Sequence, residues 1–310
     1  MKTDDRNTLF SLHWELKTLL YLGVVLLSGG LGILVYKNID TIGHQTILLF
    51  LFGVCIGSFF YCFRKSPPFS VLKTASPNIF FDYILLLACL SFVTCIGYLQ
   101  FEYSFFGTSY GLATFIPMLV LFASAYYFDH LGILSLAITN LAAWLGISIT
   151  PLKILQENDF GANRLIYTGM GLGILLNVLA FLSKRQNIKR HFAFTYTNFG
   201  LHLLFIAGLA GLFKQEGPVD GLWFLLMAGI IAYFYMLGLR QSSFYIIVVT
   251  VLYGYIVLGY VVLMALIQMV DSSAGIGAIY LGIIYFILSA IGLIRLLIFL
   301  NRQIKSHDSL

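Results

Sequence analysis

Residues 165–190 read L-I-Y-T-G-M-G-L-G-I-L-L-N-V-L-A-F-L-S-K-R-Q-N-I-K-R. Nothing charged interrupts 165–182, and then Lys184, Arg185, Lys189 and Arg190 arrive within a few positions. A helix needs about 20 apolar residues to cross about 30 Å of hydrocarbon. Lys and Arg collect on the cytoplasmic side of membrane proteins. The stretch therefore reads as a transmembrane helix ending in a basic stop.

The rest of the chain repeats this grammar. It is 60% hydrophobic and 10% charged, with a mean hydropathy of +0.92. An ordinary soluble domain has about 25% charged residues. Ten apolar spans follow, at 18–36, 44–63, 79–99, 106–128, 131–149, 164–182, 193–213, 221–239, 243–267 and 277–299. Helices are expected, because backbone groups in lipid must be satisfied within the segment. The alternating ten-residue pattern of a β-barrel is absent from the sequence. The expected fold is an all-α, polytopic membrane bundle of about ten transmembrane helices. Residues 129–130 are so short a link that the fourth and fifth spans should form a tight hairpin.

Charge fixes an expected orientation. With the N-terminus in the cytoplasm, that side holds Lys2, Arg6, Lys17, Arg64, Lys65, Lys73, Lys184, Arg185, Lys189, Arg190, Arg240, Arg295, Arg302 and Lys305. The opposite side holds Lys37, Lys153, Arg164 and Lys214. So uneven a split over short loops predicts both termini inside. The net charge of +5 is thus a topology signal, and no nucleic-acid partner is expected. Lys184, Arg185, Lys189 and Arg190 are read as topology anchors that also meet anionic headgroups, at roughly 1 kcal/mol per charge.

No segment outside the spans is long enough to build a core of its own. The expected organisation is a leader over 1–17, one bundle over 18–299 and a cytoplasmic tail over 300–310. The leader lacks a cleavage site after its charged segment. Leu9, Leu12 and Leu16 share a helical face, so it is either a short interfacial helix or an extension of the first span. The halves 18–149 and 164–299 each hold five spans. Tyr21-Leu22-Gly23 and Tyr167-Thr168-Gly169 open the first span of each half in similar fashion. An odd number of spans would invert two homologous halves, a plan known in transporters. Leu, Phe and Gly saturate these runs, so chance matches are the competing reading.

Ionisable groups within spans are costly and mark function. This chain offers few. Asp82 lies about three residues inside the third span, where the helix dipole favours a carboxylate. Asp129 and His130 occupy the hairpin link. His202 is central in the seventh span, and Thr195, Asn198 and His202 share one face at helical spacing. Asn140 is central in the fifth span, and Asn177 lies in the sixth. His202, Asn198, Asn140 and Asn177 are the candidate substrate contacts. Interhelical hydrogen bonding, at about 0.6–2 kcal/mol per bond, is the alternative for each. Pro117 should kink the fourth span, and Gly53/Gly57 and Gly107/Gly111 have the spacing of close-packing faces. Cys55, Cys62, Cys89 and Cys95 form no C-x-x-C pair and read as small packing residues. No metal, cofactor or catalytic constellation is legible, and no enzyme is expected.

Residues 16–40, L-K-T-L-L-Y-L-G-V-V-L-L-S-G-G-L-G-I-L-V-Y-K-N-I-D, resemble the opening of a bacterial family of predicted multi-pass membrane proteins of unknown function. The string A-A-W-L-G at 142–146 is similar to one in the same group. Beside that family, the usual soluble N-terminal segment looks shortened to the 17-residue leader. The resemblance implies a bacterial inner-membrane location and carries over no functional residue. Two functions stay open. One is a small-molecule transporter or permease, suggested by size, near-equal halves and polar mid-span residues. The other is a non-transporting scaffold or sensor subunit, suggested by the sparse intramembrane charge. The bilayer is the one partner expected; a small-molecule substrate goes with the first reading.

Overall fold

The computed structural model describes residues 12–37, 43–149, 163–214, 220–270 and 275–307. Among them there are ten helices and no strand. They are α1 (Leu12–Lys37), α2 (His44–Lys65), α3 (Ile79–Tyr103), α4 (Tyr110–Phe128), α5 (Leu131–Ile149), α6 (Asn163–Gln186), α7 (Phe192–Lys214), α8 (Asp220–Arg240), α9 (Phe244–Val270) and α10 (Gly275–His307). Nine of them, α2 to α10, are long and apolar enough to cross a membrane. In α1 the apolar stretch recorded is Thr18–Leu27. The helix itself runs unbroken from Leu12 to Lys37; residues 1–11 lie outside the described set.

The helix ends follow local chemistry. Asn78 caps α3, its side chain accepting the Phe81 N–H at 2.7 Å, and Asp82 occupies the first turn, where the dipole favours it. At the other end Ser104 adopts a left-handed conformation, φ 45°. Gln100 then braces the connection. Its amide donates to Gly107 O and accepts from Phe106 N–H, both at 2.9 Å. This brace draws residues 104–109 into a turn, which is why α4 starts at Tyr110 rather than at 106. Pro117 lies inside α4, which continues to Phe128. Asp129 closes α4 in a left-handed conformation, and α5 begins two residues later, giving the expected hairpin.

The chain divides into two compact units, Met1–Asn158 with Leu179–Thr195, and Asp159–Val178 with Tyr196–Leu310. The basic segment 184–190 belongs to the first unit. In that unit Leu85, Ala88, Cys89, Leu121, Ile133, Leu134 and Ile138 are fully buried. All four cysteines are buried and free. Gly111 approaches α5 so closely that an added Cβ would sit 2.8 Å from Ser148 Oγ. The Gly53/Gly57 face differs from expectation, since nothing lies within 4 Å of a Cβ added at either. Gly107 belongs to the turn, with φ +58°.

In the second unit, Leu201, Leu204, Phe205, Met227, Phe234 and Ile246 belong to the core. Here α6 and α7 cross at Gly173 and Gly200. A Cβ on Gly200 would lie 2.9 Å from Gly173 O. Outward the helices are oily: Leu49 and Phe80 are 74% exposed and Leu225 is 72% exposed. Apolar exposure on this scale belongs to a surface that meets lipid.

Candidate functional site

The polar groups of the second unit converge on His202. Its Nδ1 lies 3.0 Å from the Tyr253 hydroxyl, and its Nε2 lies 3.1 Å from the Tyr245 hydroxyl. Tyr245 donates to Asn198 Oδ1 at 2.7 Å. Two neighbours on α7, one turn apart, thus meet two tyrosines of α9. Helical spacing explains the α7 pair, since residues i and i+4 share a face.

The bond directions select one tautomer. A phenol has a single proton to donate. Tyr245 gives its proton to Asn198, so it must accept from His202 Nε2–H. Nδ1 then accepts from Tyr253. Together these bonds make a directional ladder from Tyr253 through His202 and Tyr245 to Asn198. Phe205 stacks on Tyr253, with ring centroids 4.5 Å apart and planes 8° apart, and fixes its ring. Tyr245 remains 42% exposed. None of these bonds involves an acidic or basic side chain other than the His202 imidazole itself. The ladder is suited to an uncharged polar group that exchanges hydrogen bonds with Tyr245 or Asn198.

The other two candidates lie elsewhere. Asn177 is spent on its own helix, donating to Gly173 O at 2.8 Å, and its amide lines the α6–α7 crossing at Gly200. Asn140 belongs to the first unit. Its Oδ1 is buried with no hydrogen-bond partner among the described residues. Sequence reasoning missed Tyr245 and Tyr253. The signal for them was indirect: a histidine in an apolar helix needs partners, and α9 carries four tyrosines, Tyr245, Tyr253, Tyr255 and Tyr260.

A second polar centre lies in the first unit. Lys189 Nζ is 3.2 Å from Asp129 Oδ2, and both side chains are 1% exposed. His191 Nε2 meets Asp129 Oδ1 at 2.5 Å. Thr74 N–H donates to Oδ2. Lys189 also donates, from its backbone to Val71 O at 2.9 Å and from Nζ to Leu72 O. Ser183 ties the turn down by donating to Ile188 O at 2.8 Å. One carboxylate thus gathers three connections: the loop 66–78, the α4–α5 link and the α6–α7 turn. Of the four expected anchors, Lys184, Arg185 and Arg190 remain at least partly accessible. Lys189 does not reach the surface. It takes a left-handed conformation, φ 46°, and turns inward to the Asp129 carboxylate.

Two further pairs occupy the first unit. His44 joins Glu102 at 3.3 Å and Tyr98 at 2.6 Å. His130 faces Asp82 at 3.8 Å. An apolar groove of about 530 Å³ runs along α2 and α3, lined by Leu48, Leu49, Phe52, Cys95 and Leu99, with Gln45 and Tyr103 among its few polar groups.

Long apolar helices with an oily exterior define the class: this is a polytopic α-helical membrane protein. Over residues 2–134 the chain is similar to the family described as Predicted membrane protein (DUF2157), of unknown function. The match includes the residues 16–40 that carried the resemblance and stops short of Ala142–Gly146. No curated protein and no solved structure matches the chain.

Proposed function

We propose that this protein is a small-molecule permease of a bacterial cytoplasmic membrane, with both termini in the cytoplasm. The observation that supports this is the His202 ladder. Four polar side chains from α7 and α9 meet around His202, which is central in α7, and polar groups held within a span mark substrate paths. Tyr245 and Asn198 are the proposed first contacts of an uncharged polar substrate. His202 sets the direction of their hydrogen bonds, and the reading involves no catalysis. The test is a small-molecule binding screen on the purified chain, repeated on His202→Ala. A compound that raises the unfolding midpoint of the wild type and not of the variant supports the site. Equal shifts in both remove His202 from it.

The second reading is a non-transporting scaffold or sensor subunit. It is favoured by the ladder's internal satisfaction, since His202 spends both ring nitrogens on tyrosines. A screen in which every binder ignores His202→Ala, Tyr245→Phe and Asn198→Ala would favour this reading.

A further inference from the structure

The loop 66–78 joins two spans, yet it exposes apolar side chains. Phe69, Val71 and Leu72 are 56%, 47% and 68% exposed. The loop is held in that posture. Val71 O and Leu72 O accept from Lys189, and Thr74 N–H donates to Asp129. Phe69 also stacks against Tyr127 and lies beneath Lys189 Nζ. A loop tethered this firmly presents its apolar residues as a fixed surface.

Charge surrounds that surface. Lys65 and Lys73 flank the apolar residues, Arg64 precedes them, and Lys184, Arg185 and Arg190 belong to the turn that Lys189 ties to the same loop. The carboxylates described in this unit are already taken: Asp82 faces His130, Glu102 holds His44, and Asp129 holds Lys189 and His191. Six cations are left with no ion pair among the described residues.

We propose that this end of the first unit is a docking surface for anionic glycerophospholipids. The loop lies between the end of α2 and the start of α3, so it sits at the depth where acyl chains meet headgroups. Phe69, Val71 and Leu72 enter the acyl boundary, as the apolar face of an interfacial segment does. The cations meet headgroup phosphates. The surface carries both parts of a lipid, phosphate and hydrocarbon, which distinguishes it from a site for free phosphate. The buried Asp129–Lys189 pair gives the surface its shape, and the exposed cations give it its preference.

The test uses the full chain in nanodiscs of mixed phosphatidylglycerol and phosphatidylcholine. After extraction into neutral detergent, retained lipid is counted by native mass spectrometry. The wild type should retain phosphatidylglycerol preferentially. The set Lys73→Gln, Arg185→Gln and Arg190→Gln should lower that preference at least about five-fold, the effect expected from losing even one surface charge. Arg240→Gln, Arg295→Gln and Arg302→Gln, which remove the same charge from the second unit, should leave it unchanged. The charge-preserving set Lys73→Arg, Arg185→Lys and Arg190→Lys should retain it. Phe69→Ser with Leu72→Ser should lower retention of both lipids. The proposal is overturned if the wild type shows no preference, if both charge-removing sets act alike, or if the charge-preserving set loses the preference. It is equally overturned if millimolar inorganic phosphate strips the phosphatidylglycerol, since the site would then recognise phosphate alone.

Discussion

Asp129 and Lys189 form a buried ion pair, 3.2 Å apart, between two turns on different helix pairs. Removing one partner of such a pair strands the other in a poor solvent, at a cost of about 3–5 kcal/mol. Lys189→Ala should therefore destabilise the protein by about that much. Arg190→Ala, next door and exposed, should stay within about 0.5 kcal/mol. Unfolding in mixed micelles followed by circular dichroism would compare them. Equal losses would show that the pair does not hold this end of the unit together.

Thr74 reaches the same carboxylate through its backbone N–H. Thr74→Pro deletes that donor, while Thr74→Ala keeps it. The proline variant should lose about 1–3 kcal/mol, as for a hydrogen bond to a charged group, and its loop should be cut faster by protease. The alanine variant should behave like the wild type. If alanine accelerates cleavage as much, the side chain rather than the backbone secures the loop.

His202 should be found as the Nε2–H tautomer at neutral pH, because Tyr245 has already given its proton to Asn198. Nitrogen NMR on histidine-labelled protein reads this directly. Tyr253→Phe removes the donor to Nδ1 and should shift that resonance, at a stability cost of about 0.6 kcal/mol and at most about 1.7 kcal/mol. A wild-type spectrum showing the Nδ1–H form would reverse the ladder.

Gly200 faces α6 with no room for a methyl group, while nothing lies within 4 Å of a Cβ added at Gly171. Gly200→Ala should cost about 1–3 kcal/mol, as overpacking does. Gly171→Ala should be neutral or slightly stabilising, since alanine is the better helix former. Similar effects at both positions would argue against the close α6–α7 crossing.

Asn140 keeps a buried acceptor unpaired among the described residues. An unmade hydrogen bond of this kind costs about 1–3 kcal/mol, so Asn140→Leu should be neutral or stabilising. Marked destabilisation would mean that Asn140 has a partner of its own, such as a bound water or ligand.

The helices were legible because lipid leaves the backbone so little choice. Run length and charge spacing placed all ten, and most boundaries lie within a few residues. The misses trace to side chains acting at helix ends. The Gln100 brace moved the start of α4. The Gly53/Gly57 spacing promised a contact that the fold does not make, because spacing names a face and not its neighbour. Asn198 and His202 could be paired from the sequence, since one helix carries both. Their tyrosines could not, because nothing local says which face of α9 turns toward α7. Lys189 shows the same limit more sharply. Among four cations in eight positions, no local feature marks the one that turns inward.

The Asp129–Lys189 pair also sets a timetable. Asp129 is synthesised well before Lys189, and at about 5–20 residues per second the interval lasts several seconds. For the latter part of that interval α4 and α5 are both synthesised while their connecting carboxylate still lacks its lysine. The first unit therefore cannot finish burying its own link until the ribosome has passed the middle of the chain. A truncation ending after α5 would contain the whole family-matched segment and still leave this end unfinished.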